Sequence, residues 1–174
     1  MGKIPVHYPK KYETYVTMKG GERLFLRPVL PTDTELVKDF YDRLSERTKY
    51  LRFFIPKKEA RIDRIKRFTI VDYKRSMVIV ALFGSELVGA ARYDWDDNEK
   101  CLELAETVRD DWQGRGLGTI LFKYIVQIAK ENGYQEMTAL ILDENKNAFN
   151  ILKKSVGDLR IQYEGNLIRV TFAI

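Results

Sequence analysis

The spacing of hydrophobic residues changes repeatedly along the chain between the two-residue period of strands and the longer period of helices. Leu24 and Leu26 alternate with Phe25 and Arg27, which predicts a first strand over 22–29. Apolar runs at 77–82 and 86–93, with a Gly-Ser turn between them, predict an antiparallel hairpin. Further strands are predicted over 101–108, 137–142, 159–163 and 167–174.

Helical spacing separates these strands. Thr32 and Glu35 have the spacing of a capping box, and apolar residues follow it at helical intervals, which predicts a helix after Thr32. Shorter helices are predicted at 45–54 and 145–156. A longer helix begins near residue 117 and ends at Asn132-Gly133, where the glycine is suited to a left-handed C-cap.

Length and composition favour a single domain. The 174 residues, 45% of them hydrophobic, are enough for one compact core and short for two. We expect residues 1–20 to be an N-terminal extension and residues 21–174 to be the domain. No run of about 18 apolar residues occurs, and residues 1–11 lack the apolar core of a signal peptide. A cytoplasmic protein without a membrane partner is therefore expected.

Few residues are available for metal or redox chemistry. Cys101 is the only cysteine and His7 the only histidine, which excludes an internal disulfide and argues against histidine triads and most zinc sites. The acidic stretch 94–99 is similar to a calcium loop, but Glu99 stands where a glycine is required and Ala105 where the last ligand would be. We predict a hairpin loop there and no metal site.

The net charge of +5 is modest, and both signs are interspersed along the chain. The densest basic stretch, 57–68, carries Ile62, Ile65 and Phe68 at near-helical spacing. This pattern favours the solvated face of a packed helix over a nucleic-acid or membrane surface. No nucleic-acid partner is expected, and docking of an acidic protein or of phosphate groups stays an alternative for this stretch.

The segment 108–119 joins a predicted strand to a predicted helix through Gly114, Gly116 and Gly118. Glycines let backbone N–H groups turn toward an anion, and a helix N-terminus adds unpaired donors and the positive end of its dipole. Thr119 excludes the dinucleotide pattern G-x-G-x-x-G, and the absence of a following lysine excludes a P-loop. The spacing that does occur is Q-x-x-G-x-G, beginning at Gln113.

This motif between a strand and a helix resembles the acetyl-CoA loop of the GNAT acetyltransferase superfamily, and the resemblance extends over 22–174. It implies an α/β (α+β) fold with a central mixed sheet and helices on both faces. The segments 44–54 and 108–118 are similar to the catalytic domain of bacterial Pat-type protein lysine acetyltransferases. The resemblance thus implies acetyl-CoA as co-substrate.

The resemblance also implies where acetyl-CoA binds. The backbone of Val108 would pair with pantetheine, and Asn145, which opens the motif N-x-x-A-x-x-apolar, would contact pantetheine or cap its own helix. The pyrophosphate would lie on the loop and the first helical turn, with Arg115 adding charge. The residues of this loop are Gln113, Gly114, Arg115, Gly116, Leu117, Gly118 and Thr119.

Acetyl transfer to an amine requires a neutral amine. A lysine with a pKa near 10.4 is about 3.4 units, or roughly 4.6 kcal/mol, away from that state at pH 7, so a general base is expected. Glu103 and Glu106 are the candidates on the strand 101–108, and strand geometry places them on opposite faces. Glu103 lies ten residues before Gln113, where Pat-like enzymes place their catalytic glutamate. We predict Glu103 as the base, acting through a water and desolvated in a closed cleft.

Three nearby residues have other interpretations. Glu106 is the reserve base, but an ion pair with an arginine such as Arg92 or Arg109 is favoured for it. Cys101 shares the face of Glu103, yet nothing close in sequence would activate its thiol, so direct attack of the amine is preferred to covalent catalysis. Leu152 stands where many GNAT enzymes have a tyrosine that protonates the thiolate, which leaves the general acid unassigned.

We therefore predict an acetyl-CoA-dependent N-acetyltransferase acting on a primary amine. The resemblance implies a protein lysine as acceptor, with an acyl-CoA-synthetase-like protein as substrate. A small-molecule amine acetyltransferase and a non-catalytic acyl-CoA-binding module are the alternatives. Tyr50, Phe53 and Phe54 are expected to line or support the acceptor cleft.

Overall fold

The computed structural model describes residues 5–54 and 62–174. The helices in this part of the chain are α1 Thr34–Asp42, α2 Glu46–Phe53, α3 Ile62–Thr69, α4 Leu117–Glu131 and α5 Lys146–Ser155. The strands are β1 Thr14–Thr17, β2 Arg23–Pro28, β3 Ser76–Phe83, β4 Glu86–Asp96, β5 Cys101–Val108, β6 Glu136–Leu142, β7 Leu159–Glu164 and β8 Leu167–Ala173. The predicted helices and strands are confirmed, and β1 is a strand that the hydrophobic pattern did not predict.

The strands form one mixed sheet in the order β1-β2-β3-β4-β5-β6-β8-β7. Neighbouring strands are antiparallel except β5 and β6, which are parallel. One core cluster joins the sheet to α4, through residues such as Leu121 and Ile125, and a second joins it to α1 and α3, through Phe40 and Ile65. Because helices cover both faces, β3 is buried without interruption over 77–81, which explains its continuous apolar run.

The predicted N-terminal extension packs against the domain. β1 pairs with β2 over four positions, and Tyr12 and Met18, which flank β1, are each 4% exposed. β1 has only four residues, and its burial alternates between half-buried and exposed. A strand this short and this polar carries too few residues for its period to be recognised.

The start of α1 differs from the predicted capping box. α1 begins at Thr34, and Thr32 lies in a short 3-10 turn at Pro31–Asp33. The Asp33 carboxylate accepts a hydrogen bond from the Leu30 backbone N–H at 2.7 Å and two from the Arg27 guanidinium at 2.7 and 2.8 Å. Proline suits the first position of a helical turn, and this turn places Asp33 where it joins β2 to the helix.

Part of the basic stretch 57–68 lies outside the described residues, namely 57–61. The remainder lies in α3, where Ile65 is buried and Phe68 packs against the same core cluster. This arrangement agrees with the interpretation of a packed helix. None of the helices in the described ranges is long and apolar enough to cross a membrane.

Removal of the Asp33 carboxylate should destabilise the domain strongly. Asp33→Ala leaves the Arg27 guanidinium, 12% exposed, without its partner, and loss of one member of a buried pair costs about 3–5 kcal/mol. The Lys38–Asp42 pair, 49% and 48% exposed, supplies the matched control, and Asp42→Ala should cost less than about 1 kcal/mol. Urea unfolding of both variants measures the difference, and equal small losses would show that the Arg27–Asp33 pair is not important for stability.

Candidate functional site

A cleft opens where β5 and β6 separate. These parallel strands are in register at only two positions, Glu103 with Thr138 and Leu104 with Ala139. β5 then continues to Val108 with its other edge still paired to β4, and a cavity of about 640 Å³ lies beside it. An extended ligand arm along 105–108 can therefore make the backbone hydrogen bonds of an added strand.

The glycine loop, residues 113–118, forms one end of this cleft. A 3-10 turn at Asp110–Trp112 buries the Trp112 ring and leads into the loop. Gly114 and Gly116 have φ angles of 70° and 89°, which glycine adopts at little cost. Gly116 is the N-cap of α4 and has no side chain to cap the first-turn amides. These amides and the positive end of the α4 dipole are suited to an anion.

Most of the predicted ligand-binding residues line the cavity. They are Val108, Gln113, Gly114, Gly116, Gly118, Thr119 and Asn145. The Leu117 side chain is buried in the core, so only its backbone can serve a ligand. Arg115 forms an ion pair with Glu22, and its guanidinium lies over the Trp112 ring, 4.3 Å from the ring centroid. Its charge is therefore shared with Glu22 and Trp112.

The side chain of Gln113 holds the loop against the protein. Its Nε2 donates to the Val108 carbonyl at 2.9 Å and to the Thr48 hydroxyl at 3.1 Å. This amide therefore connects the end of β5 to α2. The pattern Q-x-x-G-x-G identified Gln113 as part of the site, but it did not reveal that the side chain bonds to the protein itself.

Asp110 completes the connection to α2. It accepts hydrogen bonds from the Ser45 backbone N–H at 2.8 Å, the Ser45 hydroxyl at 2.6 Å and the Thr48 hydroxyl at 2.7 Å. Burial opposes ionisation of this carboxyl, but the bonds from Ser45 and Thr48 outweigh burial and lower its pKa. Local sequence patterns do not reveal this link, because Asp110 and Ser45 are 65 residues apart.

Asn145 caps α5. Its Oδ1 accepts a hydrogen bond from the Ala148 backbone N–H at 3.2 Å, which is the N-cap geometry. Of its two predicted roles, the cap is therefore observed. Of the three aromatic residues expected near the acceptor cleft, Phe54 lines the cavity. The Phe53 ring packs instead against Tyr41, with 5.4 Å between ring centroids.

Glu103 and Glu106 lie on opposite faces of β5, as strand geometry predicted. Glu103 lies opposite Asp94 of β4 and Glu106 opposite Ala91, and both glutamates line the cavity. Glu103 is exposed, in contrast to the closed environment expected for it. An acceptor can therefore reach this carboxylate directly from solvent.

Glu106 differs from its predicted ion-paired state. Arg92 pairs with Asp94, and Arg109 pairs with Glu86 and Asp111. The Oε2 atom of Glu106 is buried and has no hydrogen-bond partner among the described residues. Burial raises the pKa of Glu106 to about 8, and the positive charge of Arg52 opposes this rise.

Arg52, on α2, is a site residue that the sequence did not reveal. It lines the cavity, and both glutamates act on its charge. Burial, together with the positive charge of Arg92, lowers the pKa of Arg52 to about 10. Arg52 nevertheless stays a cation at neutral pH. No feature of the segment 45–54 distinguishes Arg52 from the other basic residues there.

Cys101 does not have the environment of a nucleophile. Burial raises the pKa of its thiol, and the negative charges of Asp96 and Glu103 add to that effect. A reactive cysteine requires the opposite shift, because the thiolate is the nucleophilic form. Leu152, at the position where a tyrosine is common, is buried and lines the cavity.

Comparison with known proteins agrees with this geometry. The sequence profile of the acetyltransferase (GNAT) family matches residues 37–157, which is more than half of the chain. The GNAT domain of S. lividans PAT has a similar structure, with a TM-score of 0.90 at 27% identity, covering 96% of this chain and 99% of that one.

Two curated acetyltransferases are similar in sequence. Acetyltransferase PA5475 of Pseudomonas aeruginosa is 34% identical over 125 residues, which are 70% of this chain and 67% of that protein. Acetyltransferase Pat of Mycolicibacterium smegmatis is 34% identical over 133 residues, 75% of this chain. The match spans only 40% of the length of that Pat protein.

Gly116→Ala should damage the loop through its backbone. An added Cβ would have no atom within 4 Å, but the φ of Gly116, +89°, lies in the left-handed region, where a non-glycine residue costs roughly 1–2 kcal/mol. We expect a loss of stability of this size in urea unfolding and a higher Kd for CoA in calorimetric titration. Gly157→Ala is the matched control, because its Cβ also meets open space and its φ is not positive. An unchanged Kd in Gly116→Ala would argue against ligand binding by this loop.

Proposed function

Because this chain belongs to the acetyltransferase (GNAT) family, we propose that it transfers the acetyl group of acetyl-CoA to the side-chain amine of a protein lysine. The observation that supports this proposal best is the open edge of β5 over 105–108. This edge runs from the glycine loop at one end to Glu103 at the other. A ligand with a pyrophosphate at one end and a reactive thioester at the other would span the two.

The loop and α4 provide the complement to the CoA pyrophosphate. The amides of the first turn of α4, with Gly114 and Gly116 beside them, would donate to the phosphate oxygens. The backbone of β5 near Val108 would pair with the pantetheine amides. The bond from Gln113 to the Val108 carbonyl holds this part of the strand in place.

Glu103 is proposed as the general base. It would take a proton from the lysine ammonium, directly or through a water, so that the neutral amine attacks the thioester carbonyl. The new C–N bond forms, the C–S bond breaks, and its electron pair goes to sulfur. Cys101 takes no part, because its raised pKa keeps the thiol protonated.

The exposure of Glu103 supports a protein acceptor. A small amine is best recognised by a closed pocket with few, well-placed polar groups. Glu103 is instead open to solvent, where a lysine on the surface of a folded protein can reach it. Similarity to the Pat acetyltransferases supports the same choice, and an acyl-CoA-synthetase-like protein is the acceptor that this similarity suggests.

Glu103→Gln should reduce turnover and leave CoA binding intact. The amide has nearly the same shape as the carboxylate but cannot accept the proton, and a general base contributes roughly 10²–10⁴-fold in rate. We expect kcat at pH 7 to fall within that range while the calorimetric Kd for CoA stays within about twofold. Glu99→Gln, in the exposed turn before β5, is the control and should keep full activity. Full turnover of Glu103→Gln with an unchanged pH profile would exclude Glu103 as the base.

The acceptor class can be identified directly. The protein is incubated with labelled acetyl-CoA and a bacterial lysate, and labelled lysines are identified by mass spectrometry; a panel of polyamines and amino sugars is tested in parallel. We expect labelling of specific protein lysines that is lost with Glu103→Gln. Turnover on a small amine alone would favour the small-molecule alternative, and tight CoA binding without turnover on any acceptor would indicate a binding module.

A further inference from the structure

The carboxyl group of Glu106 has no role in the function proposed above. It lines the same cavity as Glu103, yet its Oε2 atom is buried and has no hydrogen-bond partner among the described residues. A buried carboxyl without a partner is costly to maintain. Such a group in a cleft suggests that a bound ligand supplies the missing partner.

The position of Glu106 is defined by three elements. It follows Glu103 by three residues on β5, in the direction of the glycine loop, and it lies on the opposite face of the sheet. Its Oε1 is 3.0 Å from the point that a Cβ on Gly118 would occupy, and the Ile151 Cδ1 atom is 3.0 Å from the same point. The carboxyl therefore lies between the first turn of α4 and the side of α5, within the cleft.

One charged group acts on Glu106 from the surrounding elements. Arg52 of α2 favours the carboxylate, but burial outweighs this effect and raises the pKa to about 8. The neighbours from the other elements are uncharged: Ala91 on β4, Gly118 on α4 and Ile151 on α5. The group is consequently a neutral carboxylic acid at pH 7, with a proton to donate.

We propose that Glu106 is the general acid that protonates the sulfur of CoA as the thioester breaks, an inference that rests on the proposed acetyl transfer. As the C–S bond breaks, its electron pair goes to sulfur, and sulfur takes the Glu106 proton to give the free thiol of CoA. The resulting carboxylate recovers a proton from water. The proton lost by the lysine leaves through Glu103, so the two carboxyl groups end each cycle as they began.

The order of groups along the cleft supports this assignment. If the reacting carbonyl lies beside Glu103 and the pyrophosphate on the glycine loop, then the sulfur lies on the loop side of the carbonyl. Glu106 is the acidic side chain next along β5 in that direction. Placement on the opposite face of the strand keeps it apart from Glu103, so the base and the acid do not neutralise each other.

Two further features agree with a proton donor at Glu106. Leu152, which lines the cavity at the position where many GNAT enzymes have a tyrosine, has no proton to give. A thiol has a pKa near 8.5, close to that of Glu106 at about 8, and proton transfer is most efficient between groups of similar pKa. A neutral acid also avoids repulsion with the phosphates that the nearby first turn of α4 would hold.

The protonation state can be tested without catalysis. Folding raises the pKa of Glu106 from the ordinary value of about 4.5 to about 8. Such a group contributes its full stabilisation below pH 4.5, and this contribution is lost as the pH rises from about 4.5 to about 8. Thermal unfolding of the unliganded protein should therefore show wild type losing stability relative to Glu106→Gln over this range. Glu99→Gln should follow wild type. If the melting temperatures of wild type and Glu106→Gln change with pH in parallel, the proposal is overturned.

The donor role can be tested with two leaving groups. Turnover is measured with acetyl-CoA and with its analogue in which oxygen replaces the thioester sulfur, because an alkoxide requires a proton far more than a thiolate does. Glu106→Gln should lower kcat for acetyl-CoA by about 10²-fold, the lower end for a general acid, with an unchanged KM. The loss with the oxygen ester should be larger still. A merely structural role would lower both rates by the same factor.

The pH dependence of wild-type turnover tests the donor role without any variant, so the test holds even if Glu106→Gln does not fold. Turnover of the oxygen ester should fall above about pH 8, where Glu106 loses its proton, and more steeply than turnover of the thioester. Equal pH dependence for the two substrates would overturn the donor role. If wild type is active and Glu106→Gln has the same turnover as wild type, the donor role of Glu106 is overturned and the proposed acetyl transfer is not. If wild type is inactive on every amine tested, the proposed function is overturned as well.

Discussion

The separation of β5 from β6 is the structural constraint on which the site depends. Two parallel strands that stay paired over only Glu103 and Leu104 leave the rest of β5 with one open edge. The sheet tolerates this because β4 pairs with β5 along its whole length and β8 pairs with the whole of β6. The open backbone is therefore held rigid by the two halves of the sheet, and it is available to an extended ligand.

The hydrogen bonds around Asp110 join the two sides of the cleft. Asp110 binds the N-terminus of α2 through Ser45 and Thr48, and Gln113 connects Thr48 to the Val108 carbonyl. The bonds that the Asp110 carboxylate accepts are charge-assisted and therefore stronger than bonds between neutral groups. The helix that carries Arg52, with Phe54 at its C-cap, is consequently fixed relative to the glycine loop, so the two sides of the cleft keep one geometry.

Much of this architecture was predictable from local patterns. The strand period at 101–108, the glycine spacing after Gln113 and the helical stripe of α4 each involve residues close in sequence, so these elements and the glycine loop followed from them, whereas the mixed sheet followed from the resemblance to the GNAT superfamily. Strand alternation also placed Glu103 and Glu106 on opposite faces. β1 and the start of α1 could not be predicted in this way. A strand of four residues has no clear period. The position of Asp33 before α1 depends on its ion pair with Arg27, a residue on another element.

The chemical state of the site was decided by contacts between distant residues. Glu103 and Glu106 are the same residue type on one strand, yet one is exposed and the other has a buried oxygen without a partner. Arg52 approaches them from a helix about fifty residues earlier in the chain. The sequence by itself determined the helices and strands that have a clear hydrophobic period, the glycine loop and the alternation of the two acids. Only the tertiary structure decided which acid meets solvent and which has a buried oxygen and a raised pKa, because desolvation and charge depend on atoms that folding brings together.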